Sequence, residues 1–145
     1  MFIATLVRDI YTPNFSSLLR LPLYLCPVSA GFPSPAEDYI EGRLDLNRYL
    51  VKHPAATFFV RVTGDSMIDA GIHPGDLLIV DRAIAPTNGK IVIAVLNGEL
   101  TVKRVRQSKQ KLLLIPENPQ YPSLEIRSEM DFQIWGVVTN VIHPL

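Results

Sequence analysis

The stretch KIVIAVLNGELTVKRV, residues 90–105, decides how the chain folds. Two runs rich in β-branched residues flank Asn97-Gly98, a pair that accepts the positive φ angles of a two-residue type I′ turn. The pattern predicts a β-hairpin with strands at 90–96 and 99–105. Period-2 alternation along its second strand puts Thr101, Lys103 and Val105 on one face, and Leu100 and Val102 on the other.

Outward from the hairpin, Val- and Ile-rich runs recur about every ten residues between Gly, Pro and Asn, predicting strands at 57–62, 77–81, 112–115, 124–126 and 134–142. Asp45 is a good N-cap, and Leu46, Tyr49 and Leu50 at i, i+3 and i+4 predict a short helix. Residues 38–44 read as a further turn before it. The expected fold is mainly β: a compact domain of mostly antiparallel strands, open or barrel-like, with one or two short helices. Residues 1–35 have a different texture, since Pro13, Pro22, Pro27, Pro33 and Pro35 are scattered among Leu18, Leu19, Leu21, Leu23, Tyr24 and Leu25. Each proline limits regular structure, so this part is expected to be an extended N-terminal arm ordered by docking on a surface.

Length and composition suit one globular domain, with 145 residues of which 48% are apolar and 19% charged. Fourteen basic side chains balance fourteen acidic ones, so no net field draws the chain to nucleic acid or an anionic membrane, and direct specific DNA binding is not expected. The basic run Lys103, Arg104, Arg106, Lys109 and Lys111 alternates with apolar residues and reads as the solvated face of a hairpin. Cys26 is the only cysteine, which excludes an intramolecular disulfide and fits a reducing cytoplasm. Val28-Ser29-Ala30 before Gly31 has the look of an export cleavage site, but Asp9, Arg20 and Pro22 spoil the segment upstream. No run of about 18 apolar residues is present, so a membrane span is not expected. Neither a cofactor nor a metal is expected.

Chemistry enters at Thr63-Gly64-Asp65-Ser66-Met67, which follows a predicted strand and puts a serine on a tight glycine-bearing turn. Alone, such a motif reads first as a turn residue or a helix N-cap. A Ser/His/Asp triad lacks a suitable histidine: His53 precedes Pro54, His143 is almost terminal, and His73 sits in a turn-like segment as a solvated loop residue. Lysine serves as a base where burial lowers its pKa from about 10.4. Lys103 fits that need, with Thr101 on the same face to hold its amine, although an ordinary exposed strand lysine has the same spacing.

Taken together, Gly64-Asp65-Ser66-Met67, Gly71-Ile72, Gly75-Asp76-Leu77-Leu78-Ile79-Val80-Asp81 and Thr101-Val102-Lys103-Arg104 resemble the LexA/UmuD family of self-cleaving serine/lysine peptidases. The resemblance spans about residues 26–142, and its serine and lysine are 37 positions apart in the family's order. It implies that Ser66 is the nucleophile, Lys103 the general base and Thr101 the residue that steadies Lys103. The backbone N–H groups of Asp65 and Ser66 become candidates for an oxyanion hole, with Asp65 otherwise a turn residue. Ala30-Gly31, followed by Phe32-Pro33-Ser34-Pro35, resembles the family's own cleavage site. Residues 1–30 would be removed as an arm, leaving residues 31–145 as the peptidase domain.

Thirty proline-interrupted residues are too few and too irregular for a helix-turn-helix repressor domain, which places the resemblance in the UmuD branch. That branch implies a cytoplasmic homodimer of the SOS mutagenesis response. A RecA filament on single-stranded DNA would activate cleavage, and the product would serve a UmuC-type translesion DNA polymerase. Two other readings stand beside this one. A signal-peptidase relative shares the Ser/Lys logic but should carry a membrane anchor, and a catalytically silent β-rich module would bind a polymerase or repressor without cleaving.

Overall fold

Alternation along the strands sets which side chains enter the core, as the computed structural model shows for residues 5–14, 20–24 and 40–145, the residues it describes. Among them, the strands are β1 (Leu6–Tyr11), β2 (Arg20–Tyr24), β3 (Ile40–Asp45), β4 (Thr57–Thr63), β5 (Leu77–Asp81), β6 (Ile91–Leu96), β7 (Glu99–Ser108), β8 (Lys111–Ile115), β9 (Leu124–Ile126) and β10 (Phe132–Ile142). One α-helix, α1 (Leu46–Leu50), follows β3.

The larger of two compact units comprises the chain up to Pro13 and from His53 onward. Its strands form one antiparallel sheet in the order β1-β4-β5-β10-β6-β7-β8-β9. β1 also pairs with β7 through Leu6 and Thr101, so the sheet closes on itself as a barrel and β8 and β9 extend beyond the closure. The closure is short, the Leu6–Thr101 pair and the Val102 N–H donating to the Thr5 carbonyl at 3.2 Å, and it covers the first half of β7, which β8 does not reach.

Phe58, Val60 and Val62 of β4 alternate into a core shared with Met67, Ile72, Leu78, Val80, Ile93 and Val102. Val92 and Ala94 flank Ile93 on the opposite face of β6 and pack with Val105, Leu114 and Val137 in a second cluster. Both faces of β6 are thus buried, which is why Ile91–Leu96 is apolar without interruption. Gly136 marks an irregularity in the pairing of β10 with β6, and a Cβ there would lie 2.7 Å from Val80 Cγ1. The β6–β7 hairpin turns at Asn97 and Gly98 with φ of 50° and 83°, the type I′ geometry expected from Asn-Gly.

The second unit, residues 14–52, holds the antiparallel pair β2–β3 and α1. Asp45 caps the helix as expected, its Oδ1 accepting from the Asn47 N–H at 3.1 Å. The reading of residues 38–44 as a turn is corrected, because Ile40–Asp45 is a strand. Gly42 breaks the apolar alternation there and hid it, while pairing with β2 supplies the backbone hydrogen bonds. The proline-rich arm likewise contains two strands: β1 lies wholly ahead of Pro13, and Pro22 sits within the two-stranded β2–β3 ribbon, where one row of N–H groups needs no partner. Among the described residues no helix is long and apolar enough to cross a membrane.

Candidate active site

At the end of β4 the chain turns through Gly64, whose φ of 78° suits a residue without a Cβ. The turn is anchored in the core by Met67 and Ile72, both fully buried, with a single 3-10 turn at Ile68–Ala70 between them. Ile68 N–H donates to the Asp65 carbonyl at 3.2 Å. Ser66, directly before Met67, is itself fully buried.

A second segment, 117–121, braces the turn from outside. Asp69 N–H donates to the Glu117 carbonyl at 2.8 Å, and Asn118 Nδ2 donates to the Asp65 carbonyl at 3.0 Å. The Tyr121 hydroxyl donates to Asp65 Oδ1 at 2.5 Å. Partial burial, together with that hydrogen bond and the Asp65 charge, pushes the Tyr121 phenol up to about 12, so it stays protonated as a donor. Glu117 also pairs with Arg104, which takes Arg104 out of the freely solvated run read from the sequence. Nothing in the local sequence singled out this segment, because its partners lie 53 and 56 positions away.

The pleat of β7 carries Glu99, Thr101 and Lys103 on one face, as the alternation predicted. Lys103 Nζ lies 3.1 Å from Ser66 Oγ, 3.0 Å from Thr101 Oγ1 and 3.0 Å from the Val102 carbonyl oxygen. Burial pulls the Lys103 ammonium down from 10.5 to about 8, opposed by the Glu99 charge. With that pKa about a tenth of the amines are neutral at pH 7, able to accept a proton from a hydroxyl at hydrogen-bond distance.

Thr5, which sequence reading did not single out, closes this group from the other side. Its N–H donates to Ser66 Oγ at 2.8 Å, and its carbonyl accepts from Thr101 Oγ1 at 3.1 Å and from the Val102 N–H at 3.2 Å. Thr5 is fully buried, and the β1–β7 pairing at Leu6 and Thr101 holds it in place. Beside Lys103 opens a mostly apolar cavity of about 170 Å³, walled by Leu6, Leu96, Leu114, Pro122 and Leu124.

The structure therefore brings together Ser66, Thr101 and Lys103, with Asp65 next to the serine. Ala30 and Gly31 lie outside the described residues. The histidines have other partners: His53 Nδ1 is 2.6 Å from Asp81 Oδ2, and His73, in a loop and partly exposed as read from the sequence, flanks Asp76 together with His143.

Residues 22–139 match the family described as Peptidase S24-like. The chain is similar to the protein SamA of Salmonella typhimurium strain LT2, 54% identical over 122 residues that cover 84% of each protein. It is similar to the protein MucA of Escherichia coli, 43% identical over 141 residues, or 94% of this chain and 96% of MucA. Similarity extends to the LexA repressor of Xylella fastidiosa, 42% identical over 127 residues that make up 88% of this chain and 59% of that protein.

Proposed function

The chain belongs to the Peptidase S24-like family, one of self-cleaving serine peptidases, and on that premise we propose that it cuts its own Ala30-Gly31 bond with Ser66 as nucleophile and Lys103 as general base. The observation that carries the proposal is the 3.1 Å approach of Lys103 Nζ to Ser66 Oγ, made by an amine with its pKa pulled down to about 8. Neutral Lys103 accepts the hydroxyl proton as Oγ bonds to the Ala30 carbonyl carbon. The N–H groups of Asp65 and Ser66 receive the oxyanion, in a site whose burial strengthens each such bond. Lys103 then delivers its proton to the Gly31 nitrogen, the C–N bond breaks, and water activated by the same amine releases Ala30 from Ser66. Thr101 positions the amine by accepting one of its hydrogen bonds.

Ala30 and Gly31 allow close approach of the backbone, and the cavity beside Lys103 has room for one aliphatic side chain of the segment, such as Val28. The Thr5 N–H already holds Ser66 Oγ, so in this reading the contact must give way before Oγ attacks. Displacement of Thr5 from Ser66 Oγ is then the step an activator must favour, the role we assign to a RecA filament on single-stranded DNA. Removal of residues 1–30 leaves residues 31–145, read as the cytoplasmic, dimeric accessory subunit of a UmuC-type translesion DNA polymerase in SOS mutagenesis.

One observation favours a second reading. Ser66 is fully buried and capped by Thr5, as suits a silent module that binds without cleaving. Incubating purified protein at neutral and alkaline pH, with and without filament, beside Ser66→Ala and Lys103→Ala variants, separates the two by product mass. The peptidase reading expects a fragment of residues 31–145 from the parent alone. An intact parent under every condition sinks it and leaves the binding module.

A further inference from the structure

Outside the Ser66 site, the β5–β10 pairing joins three side chains of metal-ligating type, His73 and Asp76 from the turn after Ser66 and His143 from near the chain end. Ile142 pairs with Leu77, so His143, just past β10, stands beside Asp76, just before β5. His73 lies three positions before Asp76 in the same turn. That turn is fixed to β4: Gly75 N–H donates to the Val62 carbonyl at 2.8 Å and Val62 N–H to the Asp76 carbonyl at 3.1 Å. The turn is thus held at Gly75 and Asp76 by backbone bonds to β4, and His143 follows directly on the paired residue Ile142.

Asp76 is almost completely buried, and a carboxylate taken out of water needs positive charge or donors. Its Oδ2 accepts from the His73 N–H at 2.7 Å, while Oδ1 lies 2.5 Å from His143 Nδ1. Among the described residues the side chains set against it are the two imidazoles, and the Arg61 guanidinium bonds to the Gly75 carbonyl. His73 Nδ1, 3.6 Å from Asp76 Oδ2, is buried without a hydrogen-bond partner. The rings stack with centroids 4.4 Å apart, and both imidazoles keep part of their surface in solvent.

We propose that His73 Nδ1, Asp76 and His143 Nδ1 form a site for a late first-row divalent cation such as Zn²⁺. One ligating atom from each residue lies within 4.8 Å of the others. Four-coordinate Zn²⁺ with bonds near 2.0–2.1 Å sets its ligand atoms about 3.3 Å apart. His143 Nδ1 lies 2.5 Å from Oδ1 and His73 Nδ1 3.6 Å from Oδ2, the two oxygens of the same carboxylate, so rotation of the partly exposed rings about Asp76 must bring both nitrogens to that spacing. Two imidazole nitrogens with one carboxylate oxygen and no thiolate suit Zn²⁺, Ni²⁺ or Cu²⁺, whereas Mg²⁺ and Ca²⁺ need more oxygen. The cation neutralises Asp76, gives His73 Nδ1 a partner, and leaves one position for water on the open side. It ties the end of β10 to the β4–β5 turn. This replaces the expectation from sequence that no metal binds, and it is independent of whether Ser66 is active.

The full-length Ser66→Ala chain, freed of metal by a chelator, is titrated with Zn²⁺ by calorimetry, beside the same chain carrying His73→Gln or His143→Gln. One Zn²⁺ per chain, bound at least tenfold more tightly by the parent than by either variant, is the expected result. In the parent alone, Zn²⁺ also shifts the His73 and His143 imidazole resonances and spares those of His53, a readout that does not depend on either variant folding. Absence of saturable binding, equal affinity in all three chains, or shifts confined to His53 would reduce the cluster to a hydrogen-bonded clamp and overturn the site.

Discussion

Moving the intact chain from pH 7 to pH 9 should accelerate the proposed self-cleavage about tenfold, with the rate then levelling off, because in the proposed mechanism the rate follows the neutral fraction of Lys103. With the amine pulled down to about 8, that fraction goes from roughly 10% at pH 7 to half at pH 8 and about 90% at pH 9. An ordinary exposed lysine, with a pKa near 10.4, would give close to a hundredfold rise over the same interval and no plateau below about pH 10. The size of the acceleration therefore reports burial of the base, beyond its identity. The assay is a quenched time course of the parent at half-unit pH steps, quantifying the fragment of residues 31–145 by intact mass. Ser66→Ala is the control for hydroxide hydrolysis, and Lys103→Arg should show no product at any pH. A flat profile, or one still climbing steeply at pH 10, refutes the assignment of a desolvated Lys103 as base.

The same shift makes Lys103 a stability burden. Its folded pKa lies below the unfolded 10.5, so the unfolded chain holds more protons between pH 8 and 10.5 and stability rises with pH across that window. Below the window a constant penalty of about 3 kcal/mol remains. Lys103→Met in a Ser66→Ala background should gain about 1–3 kcal/mol at pH 7 by chemical denaturation and lose the alkaline rise; a loss of stability would show that the ammonium is well solvated. Thr5→Pro removes the N–H that caps Ser66 Oγ, and cleavage should speed up about fivefold for one hydrogen bond of roughly 1 kcal/mol. An unchanged or slower rate would mean that Thr5 does not guard the nucleophile. Gly136→Ala should cost about 1–3 kcal/mol, because the new methyl meets Val80 Cγ1 at 2.7 Å; a urea midpoint equal to the parent's would show that β10 yields there.

Local patterning made much of the barrel readable. Asn97-Gly98 fixes its own turn by φ preference, and alternation on either side fixes which face of β7 carries Thr101 and Lys103. Asp45 announced the helix it caps, since capping involves residues two positions apart. Ser66 and Lys103 sit in local motifs, a glycine turn after one strand and a hairpin lysine, but each motif alone reads as a turn serine or an exposed strand lysine, and it was the resemblance to the LexA/UmuD family that singled out the pair.

Tertiary structure decided everything that depends on which distant surfaces meet. The sequence contains Thr5, but only the β1–β7 register sets its N–H on Ser66, 61 positions away. It contains Tyr121 and Asn118, but only the return of the chain past β8 aims them at Asp65. His73 and His143 read separately as a loop residue and a terminal one, until β5 and β10 pair and put a buried carboxylate between them. Even the lowered basicity of Lys103 belongs to this level. Its position came from alternation along one strand, whereas its lowered pKa comes from removal of water by neighbours that no local pattern specifies.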